Sequence, residues 1–270
     1  MKYNIPKLIL LISLLLIIIH YGCKDDLVTS EDEIDLNYPA ILYPIPEENV
    51  QQLQNEFDSL NDYKICSKID KYGFIGNDTY NRIYQNTTIS EDSAFILAVN
   101  TLLKNSRYVN VKDSVSLLSS GYNIIKVNPE GTKWKIVFGS QIYEDYELPY
   151  TWIYVWIYGN EPYAIAGHWY SDIYIPSKYK IDKENAKQKV VGEKIIWYDI
   201  SGNPQEFIVT SESIIDEFSK AIYPVEKENA IELRVTWKIP IKFLSNDTGW
   251  HIYLDVMTGE IVNTIQEFRT

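Results

Sequence analysis

Hydrophobic and polar positions along the chain fall into three rhythms. An apolar run of twelve residues, Leu8 to Ile19 with Ser13 alone interrupting it, stands behind Lys2 and Lys7. A bilayer-spanning helix needs about 20 residues, so the short run with basic residues in front predicts a secretory signal over 1–22. The second rhythm is helical. Val50, Leu53 and Phe57 recur at three- and four-residue spacing and predict a helix within Glu47 to Leu60, and Ala94, Leu97, Ala98 and Leu102 predict another starting at 90. The third is strict alternation. Val235, Trp237, Ile239 and Ile241 share one face while Arg234, Thr236 and Lys238 share the other, which predicts a strand with one dry and one wet face. Pro240 in that run predicts an edge strand or a bulge, because proline cannot donate to a sheet ladder. Between 61 and 88 the text is turn-rich and predicts no regular element.

These rhythms repeat. Ile89-Ser90-Glu91-Asp92-Ser93-Ala94 aligns with Ile181-Asp182-Lys183-Glu184-Asn185-Ala186. Each has an apolar residue before a good N-cap, Ser90 or Asp182, and an acid in the first turn, so helices are expected to start at 90 and 182. Lys133-Trp134-Lys135-Ile136 aligns with Thr236-Trp237-Lys238-Ile239, and both open alternating strands. At an offset of 99 residues, Ile153, Val155 and Ile157 superimpose on Ile252, Leu254 and Val256. The fold class expected is therefore α+β, with tandem units of one helix plus an antiparallel sheet at 89–176 and 181–270. An acidic, Pro-punctuated tether at 23–44 and an N-terminal segment with one helix at 45–88 precede them.

Composition narrows the function class. With 46% hydrophobic residues and a single long apolar run, the chain is neither disordered, collagen-like nor a polytopic membrane protein. It has 37 Asp+Glu against 25 Lys+Arg, a net charge of −12, and no basic cluster in the sequence, which argues against nucleic acid as a partner. Loss of Lys2 and Lys7 with the signal deepens the charge to −14. The two cysteines, Cys23 and Cys66, build no disulfide framework if Cys23 is modified, and Cys66 in Ile65-Cys66-Ser67 is read as a buried structural residue.

Gly22-Cys23 behind the apolar run resembles the lipobox of bacterial lipoproteins, which implies cleavage before Cys23 and a diacylglycerol and palmitate anchor on its thiol. Lys24-Asp25-Asp26, followed by Glu31-Asp32-Glu33, resembles the export signal of Bacteroidetes surface lipoproteins. It implies an address on the outer membrane, facing the medium. The ending Trp250-His251-Ile252-Tyr253-Leu254-Asp255-Val256-Met257-Thr258-Gly259-Glu260-Ile261-Val262, with Ala221-Ile222-Tyr223-Pro224-Val225 before it, resembles the PepSY and FTP domains of thermolysin-like propeptides, with Val256 where that family has Ala. The resemblance covers about the last 90 residues. The earlier copy lacks the Asp-x-x-Thr-Gly pattern and reads Tyr158-Gly159-Asn160-Glu161. A cystatin-like helix-and-sheet unit, no catalytic apparatus, no cofactor, and binding or inhibition of a protein such as a protease are what the resemblance implies. Because only ten residues follow Glu260, the expectation is a stand-alone module rather than a propeptide acting in cis.

The chemistry-bearing residues point the same way. His168 and His251 fit no zinc spacing, and there is neither a Gly-x-Ser-x-Gly elbow nor a Gly-rich phosphate loop, so no catalytic residue, metal or enzymatic activity is expected. Asp255, Thr258, Gly259 and Glu260 read as a hairpin turn, with Gly259 at positive φ and Asp255 accepting backbone N–H groups. Three Asp-Ser-apolar triplets, at Ser59, Ser93 and Ser114, resemble the O-glycosylation sequon of Bacteroidetes. Trp152, Tyr154, Trp156 and Tyr158 line the face of their strand opposite Ile153, Val155 and Ile157, where the later copy has His251, Tyr253, Asp255 and Met257. Two readings of this stripe are open: a recognition platform for a sugar or an extended peptide, or a surface packed under the other copy or the N-terminal segment. The function expected is a non-catalytic surface lipoprotein that binds an extracellular protein. The alternative is an accessory glycan-binding lipoprotein that uses the stripe.

Overall fold

The structure is a computed structural model and describes residues 35, 37–77, 86–198, 201–242 and 249–267. Cys23, Lys24, Asp25 and Asp26 lie outside the described residues. No helix among those described is long and apolar enough to cross a membrane.

The elements run β1 (Ala40–Leu42), α1 (Glu47–Leu60), β2 (Ser67–Ile69), β3 (Ile75–Asn77), α2 (Glu91–Lys104), α3 (Ser106–Val109), α4 (Ser114–Ser119), β4 (Tyr122–Lys126), β5 (Lys133–Tyr143), β6 (Tyr146–Tyr158) and β7 (Glu161–His168). There follow α5 (Lys183–Val190), β8 (Lys194–Tyr198), β9 (Pro204–Ile208), β10 (Ser219–Lys227), β11 (Ala230–Lys242), β12 (Gly249–Asp255) and β13 (Ile261–Glu267). A few helices thus accompany a large, mostly antiparallel sheet, an α+β arrangement in which the sheet dominates. Its main path is β13-β12-β11-β10-β6-β7-β3-β2, with β5 and β4 on the other side of β6 and β1 beside β11.

Local chemistry sets the helices. Ser90 accepts the N–H of Ser93, and Asp182 accepts that of Asn185, so both caps satisfy a donor the first turn leaves open. Ala94, Ala98, Thr101 and Leu102 of α2 are buried against Trp134, Ile136, Phe138, Ile153, Val155, Ile157 and Ile165. Burying one leucine such as Leu102 contributes about 1.5–3 kcal/mol. The C-caps of α1 and α2, Asn61 and Asn105, meet in the core: Asn61 donates to Asn105 Oδ1 at 2.7 Å and Asn105 donates to Asn61 Oδ1 at 3.2 Å. Each amide also reaches its own helix's last turn, so the pair ties two helix ends together without an unsatisfied group.

In the later half, Ala186 and Val190 of α5 pack on Ile239, Ile241, Ile252 and Leu254. The two halves join within one sheet, through a parallel pairing of β10 with β6 at Ala221 and Glu147. Lys238 pairs with Glu147 across the joint at 3.1 Å. Lys220 holds its ammonium 4.9 Å from the ring of Tyr179 and 5.6 Å from that of Tyr146.

Three expectations change. The segment read as turn-rich contains the short strands β2 and β3, which pair with each other and join β7. The wet face expected for β11 is closed: Thr236 is fully buried and Arg234 is largely buried, because Thr236 donates to Ala221 O and Arg234 binds Glu232 and Glu260. Polar residues are kept there because each finds its own partner, Lys238 with Glu147 included. Finally, β11 is interior rather than an edge. Pro240 is tolerated because it lies beyond the end of the β10 pairing, where its carbonyl accepts the N–H of Ile215.

Candidate functional site

Two of the predicted residue groups lie in the described structure, and they behave differently. The Asp255–Glu260 group is a closed turn. Asp255 is fully buried and its Oδ1 accepts the N–H groups of Met257 and Thr258 at 2.7 and 2.8 Å. Its Oδ2 accepts the Tyr38 hydroxyl at 3.0 Å and faces Arg234 at 3.5 Å. Glu260 accepts from the same Arg234 Nη1 at 2.7 Å while Glu232 takes Nε and Nη2, and Thr258 Oγ1 accepts the N–H of Glu260. Gly259 sits at φ +72° with the side chain of Lys189 over it. Burial and the neighbouring Asp255 carboxylate push the Tyr38 phenol well above its ordinary range, so Tyr38 stays a donor. Asp255 thus has both carboxylate oxygens engaged within the protein. Tyr38, Glu232 and Arg234 are the turn's unforeseen members, since nothing in their spacing links 38 to 255.

The second group, Trp152, Tyr154, Trp156 and Tyr158, lies along the outer face of β6, opposite the fully buried Val155 and Ile157. Helix α2 covers the other face, so the outer face is open among the described residues. Trp152 is 38% exposed, and Tyr154, Trp156 and Tyr158 are half-buried. Among the described residues neither the later half nor a packed N-terminal layer lies over it; from the N-terminal segment, Asn77 donates to the Tyr154 hydroxyl at 2.8 Å.

The register places the stripe's neighbours. On β5, Lys135 pairs with Trp156 and Lys133 with Tyr158; on β7, His168 pairs with Trp152. Gly139 pairs with Trp152 on the β5 side, and Gly167 pairs with Ile153 on the β7 side. Gly167 is required: its φ is +150°, and a Cβ there would lie 2.1 Å from the Trp152 carbonyl oxygen. A bulge between Trp156 and Ile157 inserts Tyr163 opposite them, and its ring stacks on Tyr158 with centroids 4.5 Å apart and planes at 4°.

The rings stack mostly on one another. Trp152 lies on Tyr154 at 5.2 Å and 7°, while Trp156 stands nearly perpendicular to Tyr154 and Tyr158. Lys135 Nζ is 4.1 Å from the Tyr154 centroid and 5.5 Å from that of Trp156; Lys133 Nζ is 5.0 Å from Tyr158. Burial pushes the Tyr154 phenol above its ordinary value, so it remains protonated. The result is a fixed, aromatic and locally cationic surface. It holds no nucleophile poised beside a base, and among the described residues no group of three or more His, Cys, Asp or Glu is placed to hold a metal. Cys66 is buried.

Lys133 and Lys135 were readable only as strand residues. Their place beside the stripe follows from the β5–β6 register, which alternation alone does not fix. The sequon serines lie on helices: Ser59 ends part of α1, Ser93 bonds the N-cap Ser90, and Ser114 opens α4 behind its N-cap Asp113.

No family model matches this chain, and no curated protein matches it in sequence. Among solved structures, the C-terminal domain of Bacillus megaterium YpeB is similar over 84% of this chain and 100% of that chain, at 12% identity and a TM-score of 0.31. A likeness of that degree assigns neither family nor function, and the account of the site rests on its own geometry.

Proposed function

We propose that the protein is a non-catalytic binding module of PepSY-like architecture, held on the outer membrane by lipid on Cys23 and carried to the surface by Lys24, Asp25 and Asp26. Its partner is an extracellular protein, such as a protease that it occludes. The observation that carries this reading is the outer face of β5 and β6, where four aromatic side chains remain half-exposed above a sheet whose other face is already filled by α2. Large rigid rings with polar tips give contact area at little entropic cost, which suits a recognition surface. The mutual stacking of the rings favours a protein over a sugar, because sugar stacking needs an open ring face.

The test is a panel of secreted proteases and a glycan array, each run with wild type and with Trp152→Ala/Trp156→Ala. Stoichiometric binding or inhibition of a protease, lost in a double variant that keeps its circular dichroism, supports the reading. Glycan binding with every protease unaffected replaces it with the accessory glycan-binding role. Palmitate labelling that disappears in Cys23→Ala supports the anchor, and labelling that persists removes it.

A further inference from the structure

The outer face of β5 and β6 differs in charge from the chain that carries it. The chain has 37 acidic and 25 basic residues, yet the charged side chains set among the stripe's rings are Lys133 and Lys135. Neither has an ion-pair partner among the described residues. Glu161, which pairs with Tyr158 across the hairpin, has Lys64 at 3.7 Å. His168 stands at the far end beside Trp152. In a protein so rich in carboxylates, two lysines without an acid on an open aromatic face mark a surface complementary to negative charge.

The geometry narrows the partner. Lys133 and Lys135 are alternate residues of one strand, so they project on one face about 7 Å apart. An extended peptide presents its own alternate side chains at the same spacing of about 7 Å. Of the rings standing beside the lysines, Tyr154 stacks on Trp152 and Tyr158 on Tyr163, while Trp156 stands nearly perpendicular to both tyrosines of its strand, and an aromatic edge is the electropositive part of the ring. Edges and ammonium groups therefore attract the same kind of ligand.

Resting on the reading of this face as the binding surface, we infer that it takes an extended acidic peptide segment, with carboxylates at alternate positions, lying along β5 and β6. One carboxylate meets Lys133 and the next meets Lys135, while the intervening residues point away from the sheet. The aromatic side chains supply contact area, and the lysines supply register and charge selection.

Tryptophan fluorescence of the full chain, titrated with synthetic peptides of alternating Glu-Thr and alternating Gln-Thr, tests this. The expected result is binding of Glu-Thr at least about tenfold tighter than Gln-Thr, weakening as salt rises. Lys133→Gln/Lys135→Gln removes that preference at an unchanged melting temperature, and Lys133→Glu/Lys135→Glu shifts it to a Lys-Thr peptide. Equal affinity for Glu-Thr and Gln-Thr, or a preference that survives in both lysine variants, overturns the inference. So does oligogalacturonate binding that needs the lysines while the peptides do not bind, because it assigns the charge to an acidic glycan. Binding that is lost in Trp152→Ala/Trp156→Ala but indifferent to the lysines sinks the charge selection and leaves the binding face standing. Binding indifferent to all four residues removes the face itself.

Discussion

Strands β6 and β12 present the same inner face and opposite outer ones. Ile153, Val155 and Ile157 of the first are as completely buried as Ile252 and Leu254 of the second, and Val256 just beyond it. On the outer side, Trp152 is 38% exposed, whereas Tyr253 and Asp255 are 1% and 0% exposed. Tyr253 lies against Tyr223 at 4.8 Å, and Asp255 is enclosed by Tyr38, Arg234 and its own turn. The strand's sequence therefore decides which side chains leave the core, but the company they find on the outer side decides whether that side becomes a second core or a surface. A polar residue, Asp255, ended up buried because it has bonds to satisfy there. A run of aromatics stayed at the surface because nothing among the described residues packs over it.

That contrast can be pressed by substitution, and the heaviest expected effect comes at the residue that holds the open face in place. Gly167→Ala puts a Cβ against the backbone of Trp152 and Ile153. The variant is expected to lose about 4 kcal/mol or more, read as a melting temperature that collapses or as failure to fold. Next, Tyr253→Ala is expected to cost about 3–5 kcal/mol in denaturant unfolding, as for a buried aromatic, while Tyr154→Ala on β6 costs less than half as much. Equal losses would erase the distinction between the two outer faces. Asp255→Ala strips acceptors from two turn N–H groups and from Tyr38, and leaves Arg234 with Glu232 and Glu260 alone. An expected loss of about 3 kcal/mol separates a structural carboxylate from a functional one, which would change ligand binding instead. Smallest is Gly259→Ala, at about 1–2 kcal/mol, since φ is positive there and the overlying Lys189 can swing aside.

Much of the architecture was legible in the sequence because it rests on local chemistry. Ser90 and Asp182 announce their helices by capping them, and alternation located the inner faces of β6 and β12 residue by residue. What escaped was non-local. Strands β2 and β3 are three residues each, too short for a period, and β2 is completed by the side chains of Gln54, which bonds Ser67 O and Ile69 N, and of Ser67, which bonds Ile165. The Asn61–Asn105 pair joins residues 44 apart. Tyr38, 217 residues from Asp255, reaches it only through the fold. At the stripe, the four aromatics could be placed on a common face from alternation, whereas Lys133, Lys135 and Tyr163 joined them through register and a bulge. The lysines matter most to the chemistry of that face, and they looked like ordinary outward strand residues.

The central claim is that the outer face of β6 is a surface for a partner and not a core. Paired measurement of thermal unfolding and peptide affinity in Trp152→Ala/Trp156→Ala tests it directly. The account predicts a folded protein with a melting temperature within a few degrees of wild type and binding reduced at least about tenfold. A double variant that unfolds, or one that stays folded and binds as tightly as wild type, contradicts it.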